Sequence, residues 1–111
     1  MNLQQIFTTI TTALIKQGKP STTEDGSCKY RGPDGLKCAI GHLIPDNLYT
    51  PTIEGLSFRH KHVLSVLPLP IPTDSPLYSV LELLQLTHDS EDVSQWPHRF
   101  SEIAKEYGLS I

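Results

Sequence analysis

The chain of 111 residues has nine Lys and Arg against twelve Asp and Glu, a formal net charge of -3, and 38% hydrophobic residues. This length fits one domain, residues 1–111, with a single core. The acidic balance argues against binding to nucleic acid, which usually needs a basic face. The amphipathic N-terminus lacks the basic start of a signal peptide, and no apolar run could cross a membrane. We therefore expect a cytoplasmic protein with no membrane partner.

The first half of the chain contains two stretches with helical spacing. Apolar residues recur from Leu3 to Ile15 at intervals of three and four, and Gly18 marks the end of this first helix. A shorter amphipathic helix is expected over residues 56–67. The run of prolines that follows cannot be helical and predicts an extended connector.

Two further helices are predicted in the last third of the chain. Ser75 followed by Pro76 is typical of a helix start, and the apolar residues of 77–86 predict the most hydrophobic helix of the chain near its centre. A final helix is expected over residues 96–107, because Gly108 and the leucine after it form a typical helix end.

Between the first two helices, Pro33-Asp34-Gly35 predicts a tight turn. On both sides of this turn apolar and basic residues alternate, which is typical of a half-buried antiparallel pair. In that register the buried face carries Cys28, Tyr30, Leu36, Cys38 and Ile40. The predicted fold class is therefore α+β, an α-rich domain of four or five short helices packed on one β-hairpin.

Cys28, Cys38 and His42 form the first candidate site. Thiolate and imidazole are ligands that zinc prefers, and Cys38 and His42 are separated by one helical turn. His88 is a candidate for a further ligand if the fold brings its helix over the hairpin. The alternatives are two reduced, buried thiols that act as small apolar side chains, which is the commoner case, or a disulfide in an oxidising compartment.

A thiol-dependent hydrolase is another alternative. Cys38 would be the nucleophile, His88 the base, and Asp89 or Asp92 the group that orients the base. No local signature of a known thiol hydrolase accompanies these residues, and the hairpin register buries the sulfur of Cys38. The sequence therefore favours a protein that is not an enzyme.

The third candidate site is the basic face of the hairpin. Lys29, Arg31 and Lys37 point away from the cysteines in the predicted register and, with Asp34 in the turn, form the predicted binding residues. Such cations are suited to grip a phosphate or an acidic protein surface. The alternative is a solvated strand face in which Arg31 pairs with Asp34 or Asp46.

The run from Cys28 to Asp46, C-x-Y-R-x-P-D-G-x-K-C-A-x-G-x-L-I-P-D, followed by Tyr49 and Glu54, resembles a motif of small uncharacterised proteins of bacteria and their phages. The close similarity covers about a quarter of the chain. Members of that group carry histidine or cysteine at the position of His42, a replacement that a zinc site tolerates. The resemblance implies a context, a cytoplasmic and phage-encoded accessory protein, and it implies no activity.

Composition, motif and context together predict a small accessory protein that binds a host macromolecule, most simply a host protein, and alters its activity. The predicted contact surface is the outward face of the hairpin with the turn from Gly32 to Gly35. A zinc-binding domain and a thiol-dependent hydrolase are the alternative functions.

Overall fold

The computed structural model describes all 111 residues and contains four α-helices and no β-strand. The helices are α1 Leu3–Gln17, α2 Lys61–Leu64, α3 Pro76–Ser90 and α4 Trp96–Tyr107, and single 3₁₀ turns lie at Pro33–Gly35, Ile40–His42, Pro51–Ile53 and Val93–Gln95. The α+β class with one β-hairpin is therefore wrong, because the protein is a small all-helical domain. No helix has both the length and the apolar character that a membrane span requires.

The ends of α1 follow from short-range chemistry. The side chain of Asn2 accepts a hydrogen bond from the Gln5 amide, and the side chain of Gln5 accepts one from the Asn2 amide, both at 2.8 Å. This reciprocal cap satisfies two amides that an α-helix leaves without partners. Gly18 ends the helix in the left-handed conformation. Similar signals act at α3, where the Ser75 hydroxyl caps the first turn, and at α4, which ends at Gly108.

The three long helices form the core. Helix α3 packs against both α1 and α4, and the turn Ile40–His42 lies against α1. The largest fully buried side chains are Trp96, Phe7, Phe100, Ile6, Ile10, Leu14, Ile40, Leu81, Leu84, His88, Val63 and Val80. Of the helix expected over residues 56–67, only the single turn α2 forms. The prediction for that segment was therefore right about the type of structure and wrong about its extent.

The predicted hairpin does not extend beyond its turn because the next two backbone groups that would pair have other partners. In a ladder continued from Gly32 and Leu36, the Tyr30 amide would donate to the Cys38 carbonyl. The carboxylate of Glu54 instead accepts the amides of Tyr30 and Arg31 at 2.9 and 3.0 Å, and the Cys38 carbonyl accepts the His42 amide at 3.1 Å. The side chain of Gln17 accepts from the Lys37 amide at 3.0 Å and donates to the Lys37 carbonyl at 2.9 Å, which fastens this segment to α1.

What remains of the hairpin is its tip. The Gly32 amide donates to the Leu36 carbonyl at 2.8 Å, and the Leu36 amide donates to the Pro33 carbonyl at 3.1 Å. The only bridge between extended residues joins Thr22 to Cys28. The segment from residue 19 to residue 60 is thus a long folded loop that side-chain hydrogen bonds fasten to the helices.

Candidate functional site

Arg31, predicted to face solvent as a binding residue, is instead part of the scaffold. Its Nη2 atom donates to the Ile44 carbonyl at 3.0 Å and pairs with the Asp46 carboxylate at 2.9 Å. Its guanidinium lies over the ring of Tyr49, 4.8 Å from the ring centre. These contacts join three points of the loop, so Arg31 has a structural task within the fold.

The carboxylate of Glu54 is the second member of this scaffold. Besides the amides of Tyr30 and Arg31, it accepts the hydroxyl hydrogen of Tyr49 at 2.7 Å. Hydrogen bonds to a charged acceptor are stronger than those between neutral groups, and this carboxylate receives three. Arg31, Tyr49 and Glu54 of the motif are therefore accounted for by one structural network.

The other predicted binding residues lie at the surface. Lys29 is partly exposed, and Asp34 is exposed at the tip of the turn. The ammonium group of Lys37 lies 4.0 Å from the Asp46 carboxylate, which is 85% exposed. Of the two ion pairs expected for Arg31, the one with Asp46 forms and the one with Asp34 does not.

A second cluster of polar side chains lies at the last turn of α3. Nε2 of Gln85 is 3.1 Å from Sγ of Cys28 and 2.9 Å from the carboxylate of Asp89. The amide oxygen of Gln85 accepts the backbone N–H of Ile40 at 3.0 Å. Nδ1 of His88 lies 2.7 Å from the same Asp89 carboxylate. One helix end therefore holds two separate parts of the long loop.

His88 is buried, and both of its ring nitrogens have partners. The Ser21 amide donates to Nε2 at 2.9 Å, which requires a lone pair there and places the proton of the neutral ring on Nδ1, facing Asp89. Burial lowers the pKa of His88, and the Ser21 amide, which can donate only to an unprotonated Nε2, also favours the neutral ring, whereas Asp89 and the nearby Cys28 thiol act to raise the pKa. In the neutral ring the Nε2 lone pair is already used, and in the protonated ring neither nitrogen has one.

A metal site was one of the hypotheses from the sequence. The ligand atoms of Cys28, His88 and Asp89 lie within 4.8 Å of one another, whereas Cys28, Cys38 and His42 are not brought together as a set. Nε2 of His42 instead contacts the amide oxygen of Gln17 at 3.0 Å. A metal needs a free imidazole lone pair, and His88 offers none while Ser21 occupies Nε2. The residues present therefore do not fit a metal ion.

The two cysteines differ in access. Cys38 is fully buried, and its Sγ accepts the Gly41 amide at 3.4 Å. Cys28 is partly exposed. The neighbouring Cys38 thiol and burial raise the pKa of Cys28 well above its usual range. The sulfur that the sequence suggested as a nucleophile is thus the one without access to solvent, and His88 has no free lone pair with which to take a proton from either thiol.

Cys28 opens onto a cleft of about 470 Å³. The cleft is lined by Ser27, Cys28, Tyr30, Gly55, Leu56, Ser57, Phe58, Gln85 and Asp89. A thiol, an amide and a carboxylate meet in this cleft. Comparison with known proteins adds no relative, since no family model, no curated protein and no solved structure matches this chain.

The sequence did not single out Ser21, Gln85 or Glu54 as site residues. A weak signal existed for Gln85, because it is the one polar residue in the apolar run 83–86 and lies one helical turn before Asp89. For Ser21 no signal existed, since its contribution to His88 is a backbone amide that every residue except proline carries.

Proposed function

We propose that this chain is a non-enzymatic binding protein that contacts a host protein through the Asp34 surface, the exposed turn Pro33–Gly35 together with Lys37 and Asp46. This surface keeps two of the four binding residues expected from the sequence, Asp34 and Lys37. It omits Lys29 and also Arg31, whose contacts lie within the scaffold, and it adds Asp46, which is exposed beside Lys37.

The observation that carries the proposal is the backbone of Asp34. Asp34 is the only non-glycine residue with a positive φ, at 58°, and its exposed carboxylate makes no hydrogen bond or ion pair within the chain. The left-handed conformation costs an ordinary residue roughly 1–2 kcal/mol, less for Asp and Asn and nothing for Gly. The Asp34 carboxylate has no partner within the chain although its backbone conformation is costly. This combination favours a binding partner outside the chain.

The turn is also held in place before any partner arrives. The two hydrogen bonds between the ends of the turn fix its shape, and the main chain of Lys37 is fastened to α1 through both polar atoms of the Gln17 amide. A preformed surface loses less conformational entropy on binding than a mobile loop does. The Asp34 surface therefore suits the recognition of a folded partner.

The charges of this surface favour a protein partner over nucleic acid. The Asp34 surface carries two exposed carboxylates, Asp34 and Asp46, and a single lysine, and both carboxylates would repel phosphates. Leu48, an exposed apolar side chain two residues after Asp46, adds the kind of contact that protein interfaces use. Mixed charges of this kind select a partner by electrostatic complementarity.

The experiment is affinity capture from host lysate with matched charge variants. We expect the natural chain to retain a stoichiometric protein, and we expect Asp34→Asn combined with Lys37→Glu to lose it. Asparagine tolerates the left-handed conformation, so this variant keeps the fold. The control is Asp74→Asn combined with Lys61→Glu, which makes the same two changes of charge at exposed positions elsewhere. Recovery of no stoichiometric protein, or its equal loss in both variants, would contradict the proposal.

A further inference from the structure

Aspartate followed by glycine occurs twice in this chain, at Asp25-Gly26 and at Asp34-Gly35. Both pairs are exposed and lie in the long loop. In such a pair the backbone nitrogen of the glycine can attack the side-chain carboxyl carbon of the aspartate, because glycine has no Cβ to hinder the approach. The two pairs have the same residue types and similar exposure, so the bonds around each pair decide how readily it reacts.

Both reacting groups of the first pair are held by hydrogen bonds. The Asp25 carboxylate accepts the hydroxyl of Thr23 and, at 3.1 Å, the backbone amide of Ser27. The Gly26 amide donates to the Thr23 carbonyl at 2.9 Å. These bonds must break before the nitrogen can reach the carboxyl carbon. The bonds to Thr23 and Ser27 also lower the pKa of Asp25, and only a protonated carboxyl can lose its hydroxyl group as water.

The second pair has neither restraint. The Asp34 carboxylate makes no hydrogen bond or ion pair within the chain, and the Gly35 amide donates to no acceptor there. The hydrogen bonds of this turn join Gly32, Pro33 and Leu36, which leaves both reacting groups free. Ring closure rotates the bond between Cα and the carbonyl carbon of Asp34. This rotation takes the residue out of a left-handed conformation that already costs energy.

From this contrast we propose that Asp34 is a site of spontaneous isomerisation to isoaspartate in the folded chain, and that Asp25 is protected from the same reaction. The inference concerns a covalent modification and does not depend on a partner for the Asp34 surface. It assigns different chemical fates to two pairs of identical sequence.

The reaction has two balanced steps and needs no co-reactant except water. The Gly35 nitrogen forms a bond to Cγ of Asp34, and the amide proton and the carboxyl hydroxyl group leave together as one water. The product is a five-membered succinimide ring. One water then opens the ring. Attack at Cγ restores aspartate, whereas attack at the backbone carbonyl carbon of Asp34 gives isoaspartate, in which the main chain runs through Cβ and Cγ.

The test is prolonged incubation of the natural full chain at neutral pH in water labelled with heavy oxygen, followed by digestion with trypsin in ordinary water. Trypsin places the two pairs on separate peptides, 17–29 and 32–37. We expect peptide 32–37 to gain one labelled oxygen and to become a substrate for an isoaspartyl methyltransferase. Peptide 17–29 should change at least roughly tenfold more slowly, because a hydrogen bond to a charged acceptor is worth about that factor.

A parallel incubation in guanidinium chloride shows whether the fold causes the difference. The denatured chain has lost the bonds around Asp25, so both peptides should react at similar rates. Three results would overturn the inference: an unchanged peptide 32–37 in the folded chain, equal rates for both peptides in the folded chain, or the same preference for Asp34 after denaturation. The natural chain alone decides all three.

A variant tests the protection of Asp25 directly. Thr23→Val keeps the shape of the side chain but removes the hydroxyl that donates to the Asp25 carboxylate. In the folded variant, established by circular dichroism, the rate at Asp25 should rise towards the rate at Asp34, while the rate at Asp34 stays unchanged. An unchanged rate at Asp25 would contradict the protection by this hydroxyl.

Discussion

Replacement of Glu54 by glutamine should weaken the whole long loop. One carboxylate oxygen accepts the Tyr30 amide at 2.9 Å, and the other accepts the Arg31 amide at 3.0 Å and the Tyr49 hydroxyl at 2.7 Å. A glutamine has one acceptor oxygen, so its amino group must face at least one of these donors. The loss of a charge-assisted bond and the donor left without a partner together predict about 2–4 kcal/mol less stability.

Urea denaturation followed by far-ultraviolet circular dichroism measures this difference. We expect the midpoint to fall without a change of slope, and the melting temperature to drop by about 8 °C or more. Glu24→Gln is the matched control, because that exposed side chain makes no hydrogen bond, and it should change the stability by less than about 0.5 kcal/mol. A Glu54→Gln protein as stable as this control would refute the structural role of the carboxylate.

Three further changes test other parts of the loop. In Gly41→Ala the new Cβ would lie 2.2 Å from the Tyr30 carbonyl oxygen, a backbone atom, so we expect a loss of about 3 kcal/mol or more in the same assay, and a loss below 1 kcal/mol would contradict this close packing. Burial and then the nearby Lys37 charge lower the pKa of His42 from 6.5 to about 4. Between these pH values the unfolded chain therefore binds more protons than the folded chain, so the free energy of unfolding should fall as the pH drops from 6.5 towards 4. Urea denaturation across this pH range should show a smaller fall for His42→Gln than for the natural chain. Arg31→Lys keeps the charge but loses the planar contact with the ring of Tyr49, so the free energy of unfolding measured with urea should fall by about 1–2 kcal/mol. An unchanged free energy of unfolding would mean that the charge alone matters.

The long helices could be predicted because their signals are local. The cap before α3, the glycines after α1 and α4, and the spacing of apolar residues all act within a few positions of one another. Local signals of this kind survive folding whenever tertiary contacts agree with them. The boundaries of these three helices therefore lie within a few residues of those expected.

The sequence alone could not exclude the hairpin, because the side chains that bond to its backbone lie far away in the sequence. Alternation of apolar and basic residues predicts which side chains are buried, and this prediction is right for Tyr30, Cys38 and Ile40, whereas Cys28 and Leu36 are only partly buried. It does not say where the backbone amides find partners. Glu54 and Gln17 supply those partners from 24 and 20 positions away, through side chains that carry no strand or helix signal.

The candidate site was predictable only as a set of residue types. Cys28, Cys38 and His88 were candidates because their side chains bear thiols and an imidazole. Which sulfur reaches the cleft, and which nitrogen of His88 is occupied, depend on how the loop folds over α3. The backbone amide of Ser21 decides which nitrogen of His88 is occupied, and residue types alone could not have predicted this contact.

Trp96 is the one tryptophan of the chain, and its ring lies stacked 5.7 Å from the imidazole of His88. Indole emission responds to the polarity and charge of its immediate surroundings, so this contact is an optical probe at the end of α3. If the loop detached there while the helices persisted, the emission would change and the far-ultraviolet signal would not. Local opening and global unfolding of this protein can thus be separated with the natural residue alone.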